Sequence, residues 1–264
     1  MDIAEISLAA QVAWFEHLAR RGFDSLKIGP ALAVVTGVAS NIDNGIFVAR
    51  ATLADPGALD ALIDFVRGRN VPASCVVLEM VEPELLMPLL ERGLTPENDA
   101  VEMGLALDPA RGAARALDPG IEIEEVTDPA ALRSGLDAMR WLEGDDLERQ
   151  VAVAVGSGYG PWSAVRHWIA RDSQAVVGMA TSFRFDDVVV LAQCGVIAGY
   201  RRRGIASALT DVRLAAAVDA GSTVAVLTPS PDGQLLHSRR GFRLVTAHPN
   251  RWFYLPYEVD DRDG

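Results

Sequence analysis

The sequence predicts an α/β (α+β) protein built on a mixed, mostly antiparallel sheet flanked by helices. In the second half of the chain, strand-forming segments at about 164–171, 174–184 and 188–198 are separated by the turn signals Asp172-Ser173 and Asp186-Asp187. Short strands joined by tight turns indicate an antiparallel meander. Beyond the meander, helix and strand patterns alternate, which adds crossover connections and makes the sheet mixed.

The other elements of the second half follow in order around this meander. Before it come a strand at 121–126, a helix from Asp128 or Pro129 to about Leu142, and a helix across 145–155. After it come a helix from Ala206 to about Ala220, a strand at 223–228, a helix between Ser230 and Gly241, and a strand at 252–255. Ser230 is a suitable N-cap, Pro231 a suitable first helical residue, and Gly241 a suitable left-handed residue to end the helix.

The first half of the chain repeats this order more faintly. Its predicted elements are a helix at 4–20, strands near 31–37 and 44–52, a helix at 56–67, a strand at 73–79, a helix at 82–91 and a strand near 100–107. The last helix ends in Arg92-Gly93-Leu94, as its counterpart ends in Arg240-Gly241-Phe242. We interpret the pattern as an internal duplication, with one domain over 1–115 and a second over 116–264, joined by the small-residue segment 109–120.

Composition and charge restrict the classes of partner. The formal net charge is −12 and Lys27 is the only lysine, which argues against a nucleic-acid surface and leaves a cationic amine open as substrate. The apolar runs are shorter than the roughly 18 residues of a membrane helix, and the first residues lack a basic export segment, so we expect a cytoplasmic protein that does not contact a membrane. Cys75 and Cys194 lie far apart without a CxxC motif, so we expect neither a disulfide framework nor a metal site.

The most informative segment is a loop between a strand and an alanine-rich helix. The strand ends near Gly199, and the chain continues as Arg201-Arg202-Arg203-Gly204-Ile205-Ala206. The first amides of a helix have no intrahelical partners, the macrodipole adds partial positive charge, and Gly204 lets a ligand approach the backbone. We therefore expect a phosphate group at this loop. The loop lacks the Gly-Lys-Ser/Thr end of a P-loop and has one of the three glycines of a dinucleotide fingerprint, which excludes both of those nucleotide sites.

Two motifs resemble one known family. Arg201, Gly204 and Ala206 have the spacing of the Arg/Gln-x-x-Gly-x-Gly/Ala signature of the GNAT acyltransferase superfamily, whose loop amides hold the pyrophosphate of an acyl coenzyme A. Downstream, Leu236-His237 and Gly241-Phe242 resemble the family's Leu-Tyr-x-x-x-Gly-Phe motif. The resemblance covers residues 188–245 most closely and extends over about 120–258. It implies a tandem protein of two GNAT-like domains with acetyl-CoA as cosubstrate.

The first half lacks the loop that carries the resemblance. Where the arginine-glycine loop would fall, the chain reads Thr52-Leu53-Ala54-Asp55-Pro56-Gly57. Asp55 is a suitable N-cap, and its carboxylate would occupy and repel the place of a pyrophosphate. We therefore expect a degenerate first domain and an acyl-CoA site in the second domain alone.

The resemblance assigns roles to residues of the second domain. Amides of the loop and of the first helical turn would hold the pyrophosphate, and the backbone of Val196 and Ile197 would pair with the pantetheine arm like an added strand. The Val196 amide would also polarise the thioester carbonyl. Ser230 stands where the family often has an asparagine that contacts the coenzyme arm, and the alternative is that it only caps its helix. The candidate coenzyme-binding residues are Val196, Ile197, Arg201, Arg202, Arg203, Gly204, Ile205, Ala206, Ser207 and Ser230.

Proton transfer is where the sequence departs from the family. His237 stands in place of the tyrosine that protonates the departing thiolate, and its position near a helix C-terminus predicts that the dipole favours the imidazolium. Neither periodicity nor spacing distinguishes this role from simple packing at the sheet edge. Tyr200, Tyr254 and Tyr257 are alternative acids. The strand at 188–198 carries no carboxylate, so a base would act through water, and the open candidates are Asp186, Asp187, Glu124, Glu125 and His167.

These observations predict an N-acetyltransferase that moves an acetyl group from acetyl-CoA to a primary amine of a small molecule or peptide. Two alternatives stay open. Because the acid and the base are both nonstandard, one alternative is a sensor or subunit that binds acyl-CoA without turning it over. The other is an enzyme that acetylates a protein or peptide N-terminus and uses its degenerate first half for docking. We expect a monomer or a homodimer.

Overall fold

The elements of the fold are described by a computed structural model covering residues 3–79, 81–97, 101–108, 120–141, 143–245 and 252–257. The helices are α1 (Ile3–Arg20), α2 (Arg50–Leu53), α3 (Pro56–Arg67), α4 (Met87–Glu91), α5 (Pro129–Met139), α6 (Gly144–Ser157), α7 (Ile205–Asp219) and α8 (Pro231–Ser238). The strands are β1 (Asp24–Ile28), β2 (Ala31–Val35), β3 (Gly45–Val48), β4 (Ala73–Val77), β5 (Thr95–Pro96), β6 (Glu102–Ala106), β7 (Ile121–Glu125), β8 (Val165–Asp172), β9 (Ala175–Phe185), β10 (Val188–Val196), β11 (Val224–Leu227), β12 (Arg243–Val245) and β13 (Trp252–Leu255). Short 3-10 turns precede α4 (Pro83–Leu86) and α7 (Ala198–Tyr200).

Local sequence accounts for many of the element boundaries. The Asp128 carboxylate accepts hydrogen bonds from the amides of Ala130 and Ala131 at 2.9 Å and starts α5. Ser230 Oγ accepts from the Gly233 amide at 3.2 Å and starts α8, as its N-cap position predicts. Asp186 has a left-handed φ of 47° in the tight turn between β9 and β10, which a short aspartate side chain tolerates.

The residues form two compact units, one comprising Met1–Ala13 with Val101–Thr246 and the other Trp14–Ala100 with Ala247–Gly264. We call them the larger and the smaller unit. In the larger unit the strand order is β7-β8-β9-β10-β11-β6-β12, and in the smaller unit it is β1-β2-β3-β4-β13-β5. Each sheet contains one parallel pair, β10 with β11 and β3 with β4, among otherwise antiparallel neighbours. The predicted fold class of two mixed, mostly antiparallel sheets with helices is confirmed.

The two sheets follow the same plan from β8 and from β1 onward. Two antiparallel pairs lead to the parallel pair, and two further antiparallel pairs follow it in both sheets. By this plan β6 in the larger sheet corresponds to β13 in the smaller one. The common order and orientation support the internal duplication that the sequence predicts.

The predicted boundary near residue 115 does not separate the two units. The last strand of the first half, β6, pairs with β11 and β12 of the larger unit. The last strand of the chain, β13, pairs with β4 and β5 of the smaller unit. Each half of the sequence thus supplies one strand to the other sheet, which a boundary between consecutive domains does not allow. The linker proposed at 109–120 lies, except for Gly120, outside the described residues.

Each unit has its own apolar core. In the smaller unit the sheet and α3 bury Leu59, Leu62, Phe253 and Leu255, each at most 1% exposed. In the larger unit α5 and α6 pack around Leu132, Leu136 and Met179, while α7 contributes Ile205 and Leu209 to a second cluster. Among the described residues, none of the helices is both long enough and apolar enough to cross a bilayer.

Candidate functional site

The predicted anion loop lies at the start of α7 in the larger unit. Gly204 has a φ of 84° and immediately precedes Ile205, the first residue of this 15-residue helix, and no side chain caps the helix within the described structure. A left-handed φ favours glycine, so the sequence and the backbone agree at this position. Arg201, Arg202 and Arg203 are exposed around the helix start. Uncapped amides beside three cationic side chains form a site suited to an anion.

The loop is tied to the strands around it. Arg201 Nε donates to the Val196 carbonyl at 3.1 Å. The Arg203 guanidinium lies 4.9 Å from the centre of the Tyr200 ring, and the Tyr200 hydroxyl donates to Asp172 Oδ2 at 2.9 Å. This hydrogen bond raises the pKa of Tyr200 above its usual value, so Tyr200 holds its proton and is directed towards β8.

A gap opens beside the end of β10. Strands β10 and β11 pair in parallel only from Val188 to Val190, opposite Val224 to Val226. β11 ends one residue later at Leu227, whereas β10 continues to Val196 along β9. Within the described residues, the edge of β10 that faces away from β9 therefore has no strand partner beyond Val190. Apart from the Val196 carbonyl, which accepts from Arg201 Nε, the backbone groups on that edge are available to a ligand that lies like an added strand.

A β-bulge determines which backbone groups face this gap. The pairing of β10 with β9 shifts between Ala192 and Cys194, where Gln193 is the extra residue with a φ of 33°. Before the bulge, the Asp187 carbonyl accepts from the Thr223 amide at 2.7 Å, so odd-numbered residues direct their backbone N–H and C=O groups towards β11. After the bulge, the Ile197 amide donates to the Val177 carbonyl at 3.1 Å, so odd-numbered residues direct their backbone N–H and C=O groups towards β9. Val196 therefore directs its N–H and C=O to the edge away from β9, where the C=O accepts from Arg201 Nε and the N–H faces the gap.

This alternation separates two residues that the sequence analysis grouped. The Val196 amide faces the gap, as its predicted role requires. The Ile197 amide is already bonded to β9, so the predicted backbone pairing of Ile197 with a pantetheine arm does not fit the structure. The reason is the period of two in a strand, which turns neighbouring residues to opposite edges.

The corresponding place in the smaller unit is closed. Strands β3 and β4 stay paired to Val48 and Val77, and the next amide, that of Leu78, donates to the Val48 carbonyl at 2.8 Å. The Asp55 carboxylate accepts from the amides of Gly57 and Ala58 at 3.1 and 3.2 Å and caps α3. The predicted N-cap role of Asp55 is confirmed. Its carboxylate occupies the first amides of α3, whereas the corresponding amides of α7 have no side-chain cap.

His237 lies in the last turn of α8 and is 9% exposed. Its ring contacts Phe242 edge-on at 5.4 Å, and its Nδ1 atom is buried without a partner among the described residues. Burial, together with the charges of Arg213 and Arg240, lowers the pKa of His237 to about 4. The prediction that the helix dipole favours the imidazolium is therefore wrong, because desolvation outweighs the dipole. His237 is neutral at neutral pH.

Several base candidates already have side-chain partners. Glu124 bonds to Arg171 at 2.6 Å, Glu125 forms a bidentate pair with Arg166, and Asp187 accepts from the Thr223 hydroxyl. His167 is 2% exposed, and its Nδ1 lies 2.9 Å from Thr181 Oγ1. Burial lowers the pKa of His167 to about 4, against a smaller opposing effect of the Gly158 backbone, so His167 is a weak base. Of the alternative acids, Tyr254 lies on β13 in the smaller unit.

Sequence reasoning missed two residues near the strand end, Gly195 and Arg213. A Cβ on Gly195 would lie 2.8 Å from Trp141 Cζ2 and 2.9 Å from Met139 Sδ, so the glycine admits these side chains next to Val196. Glycine inside a strand pattern is the signal for such a close approach. Arg213 lies in an alanine-rich helix and is 1% exposed. A charged residue within an apolar helical pattern was the signal in the sequence that could have identified it.

The chain is similar to known proteins in sequence and in fold. The model of the acetyltransferase (GNAT) family matches residues 136–242. No curated protein gave a significant match. A solved structure of a GCN5-related N-acetyltransferase from Kribbella flavida is 18% identical, with a TM-score of 0.65 over 100% of this chain and 98% of that chain.

Two further solved structures share the fold. A tandem GNAT protein from the clavulanic acid biosynthesis pathway is 11% identical, with a TM-score of 0.55 over 89% of this chain and 82% of that chain. A GCN5-related N-acetyltransferase from Sphaerobacter thermophilus is 16% identical, with a TM-score of 0.53 over 85% of this chain and 75% of that chain. These identities establish likeness of fold, whereas the family assignment rests on the matched sequence segment. Residues 136–242, which include strand β10 and the uncapped α7, match the model of the acetyltransferase (GNAT) family.

Proposed function

We propose that the larger unit is an N-acetyltransferase that transfers the acetyl group of acetyl-CoA to a primary amine. One observation carries the proposal: β10 and β11 diverge after Val190, and the Val196 amide faces the resulting gap. The uncapped start of α7 lies a few residues further along the chain. A donor with a pyrophosphate at one end and a strand-like arm at the other matches both features.

The donor would lie along the loop and the strand. The pyrophosphate would accept hydrogen bonds from amides at Gly204, Ile205, Ala206 and Ser207, with the exposed arginines adding positive potential. The pantetheine arm would enter the gap along Val196. Ser230 Oγ already accepts from the Gly233 amide, so a contact with the arm would use the remaining capacity of that hydroxyl.

The chemistry follows from the direction of the Val196 N–H. A neutral amine attacks the thioester carbon, a C–N bond forms, and the developing oxyanion accepts a hydrogen bond from this amide. The C–S bond then breaks, and the acyl group stays on the nitrogen. The proton lost by the amine passes to water, and the coenzyme leaves as a thiolate. Since a thiol has a pKa of about 8.5, its thiolate departs without a strong acid.

His237 contributes as a neutral side chain in this proposal. Because its pKa is low, the His237 side chain is an uncharged imidazole at neutral pH. A neutral imidazole still donates one hydrogen bond, which would stabilise a departing sulfur less than a proton transfer does. Replacement by alanine should therefore slow turnover only moderately, and more than it weakens coenzyme binding.

The test combines binding with turnover on the intact chain. Titration calorimetry should give one acetyl-CoA per chain, since Asp55 and the closed β3–β4 pair leave the smaller unit without a matching site. A thiol-release screen with acetyl-CoA against amino acids, polyamines, antibiotic amines and peptides should then identify the acceptor by mass. Failure of the wild-type chain to bind acetyl-CoA would overturn the proposal.

A second function has specific support, namely acyl-CoA binding without turnover. It is favoured by the neutral state of His237 and by the ion pairs that already engage Glu124 and Glu125. The same experiment separates the two functions. Binding of acetyl-CoA with no thiol release across the whole panel would favour the sensor, and thiol release with a mass gain of one acetyl group on an amine would favour the enzyme.

A further inference from the structure

Arg213 is a fully buried cation in the helix that starts at the anion loop. It is 1% exposed, and within the described residues no carboxylate forms an ion pair with it. Burial lowers the pKa of Arg213, with a smaller opposing effect of Cys194, although an arginine remains charged. Burying a charge without a counter-charge is unfavourable unless its donors are satisfied. The partners of its guanidinium therefore indicate why it is there.

The guanidinium donates to main-chain carbonyls of three different elements. Nε donates to the Leu209 carbonyl in α7 at 3.0 Å, and Nη1 donates to the Thr181 carbonyl in β9 and the Ala192 carbonyl in β10 at 3.0 Å each. Nη2 lies 3.4 Å from Thr210 Oγ1. One side chain thus joins both strands of the sheet to the helix that packs on them.

The bridged carbonyls mark the position of the bulge. Thr181 and Ala192 are the last residues paired before the register shifts, and Gln193 follows immediately. A bulge interrupts the ladder and weakens the pairing at that point. The two Nη1 hydrogen bonds supply a connection between the strands where the ladder is interrupted.

The bulge in turn decides the direction of Val196. Without the extra residue, the alternation of backbone direction set by Asp187 and Thr223 would continue. The N–H and C=O groups of even-numbered residues would then face β9. With it, Ile197 faces β9 and Val196 faces the gap. We propose that Arg213 is a positioning residue for acyl transfer: its guanidinium fixes the bulge and so keeps the Val196 N–H directed at the thioester carbonyl. This inference rests on the proposed function.

The test observes the carbonyl itself. Acetyl-CoA labelled with ¹³C at the thioester carbonyl is bound to the intact protein, and its infrared band is compared with that of free acetyl-CoA. A hydrogen bond from Val196 should lower the frequency in the wild type. Arg213→Met replaces the aliphatic stem with an unbranched apolar side chain and removes every donor. We expect its band to return towards the free value and its kcat to fall by about 100-fold, the effect of one lost oxyanion donor, with unchanged affinity for acetyl-CoA.

A matched control separates this role from the loss of any arginine. Arg184 on β9 is exposed and also donates to two carbonyls, those of Asp186 and Ala220 at 3.1 and 3.4 Å, away from the bulge. Arg184→Met should keep the wild-type band and kcat. If Arg213→Met does not fold, Arg213→Gln replaces it, because a shorter amide cannot bridge both carbonyls.

The outcomes distinguish the positioning role of Arg213 from the proposed acetyltransferase function. A variant at Arg213 that binds acetyl-CoA with the wild-type band and kcat would overturn the positioning role and leave the proposed function intact. A wild-type protein that binds acetyl-CoA without any shift of the band would also overturn it. A wild-type protein that binds no acetyl-CoA would instead overturn the proposed function.

Discussion

Two buried histidines of the larger unit make its stability depend on pH. Burial lowers the pKa values of His167 and His237 to about 4, whereas an unfolded histidine has the ordinary value of 6.5. Between these values the unfolded chain binds protons that the folded chain does not. The free energy of unfolding therefore rises as the pH increases from about 4 to about 6.5, and falls when the pH decreases through the same window.

Replacing one histidine by a side chain that does not titrate should reduce this dependence. For His237→Gln we expect the slope of the unfolding free energy between pH 4 and 6.5 to fall by up to about 1.4 kcal/mol per pH unit, the value for one proton. Denaturant titrations at several pH values measure it. Asp43, whose pKa burial raises to about 6, acts in the opposite direction but equally in both proteins. An unchanged slope would mean that the pKa of His237 is the same in the folded and the unfolded chain.

Gly195 tests how tightly the strand end is packed. Gly195→Ala would place a Cβ 2.8 Å from Trp141 and 2.9 Å from Met139, so we expect the free energy of unfolding to fall by about 1–3 kcal/mol through overpacking. In a Met139→Ala background the same change should cost less, and chemical denaturation of the four proteins measures the coupling. Gly199→Ala, with no atom within 4 Å of its Cβ, is the control. Equal costs in both backgrounds would contradict the contact.

At the scale of elements, helix α7 offers a test of the anion site with an internal control. Gly204 and Gly221 flank this helix at φ values of 84° and 85°, and a Cβ at either would meet no atom within 4 Å. Alanine at either position should cost about 1–2 kcal/mol of stability, because both impose the same left-handed strain. Gly204→Ala should also weaken acetyl-CoA binding in calorimetry, whereas Gly221→Ala should not. Equal affinities in the two variants would argue against a pyrophosphate at Gly204.

The same helix illustrates what the sequence could predict. The strand before the loop, the glycine, the helix and the Ser230 cap are local patterns, and each lies where it was predicted within one or two residues. The short strand β1 was missed, because Asp24 to Ile28 lacks a clear run of strand formers. The bulge at Gln193 and the burial of Arg213 also escaped prediction, because both depend on contacts between strands and a helix that are distant in sequence. Periodicity identifies elements, whereas the direction of the Val196 amide depends on their register.

At the scale of the whole molecule, the two sheets share one plan, and each uses a strand from the other half of the sequence. β6 lies between β11 and β12, and β13 lies between β4 and β5. In both sheets the contributed strand is interior, with neighbours on both sides. Its removal would expose main-chain groups and apolar side chains of its neighbours, such as those that contact Met103, Phe253 and Leu255, each at most 1% exposed. The arrangement makes each sheet depend on the intact chain.

This dependence predicts the behaviour of the two halves. Expressed alone, fragments 1–115 and 116–264 each lack an interior strand, so we expect neither to give a cooperative thermal transition by circular dichroism. Expressed together they should associate and regain it. As a control, the intact protein cleaved at a protease site introduced into 109–119 should stay folded, because the break leaves every described strand in place. If the two halves were consecutive independent domains, fragment 116–264 would instead fold and bind acetyl-CoA on its own. That outcome would contradict the observed pairing of β6, which makes residues 102–106 as much a part of the larger sheet as β10 and β11.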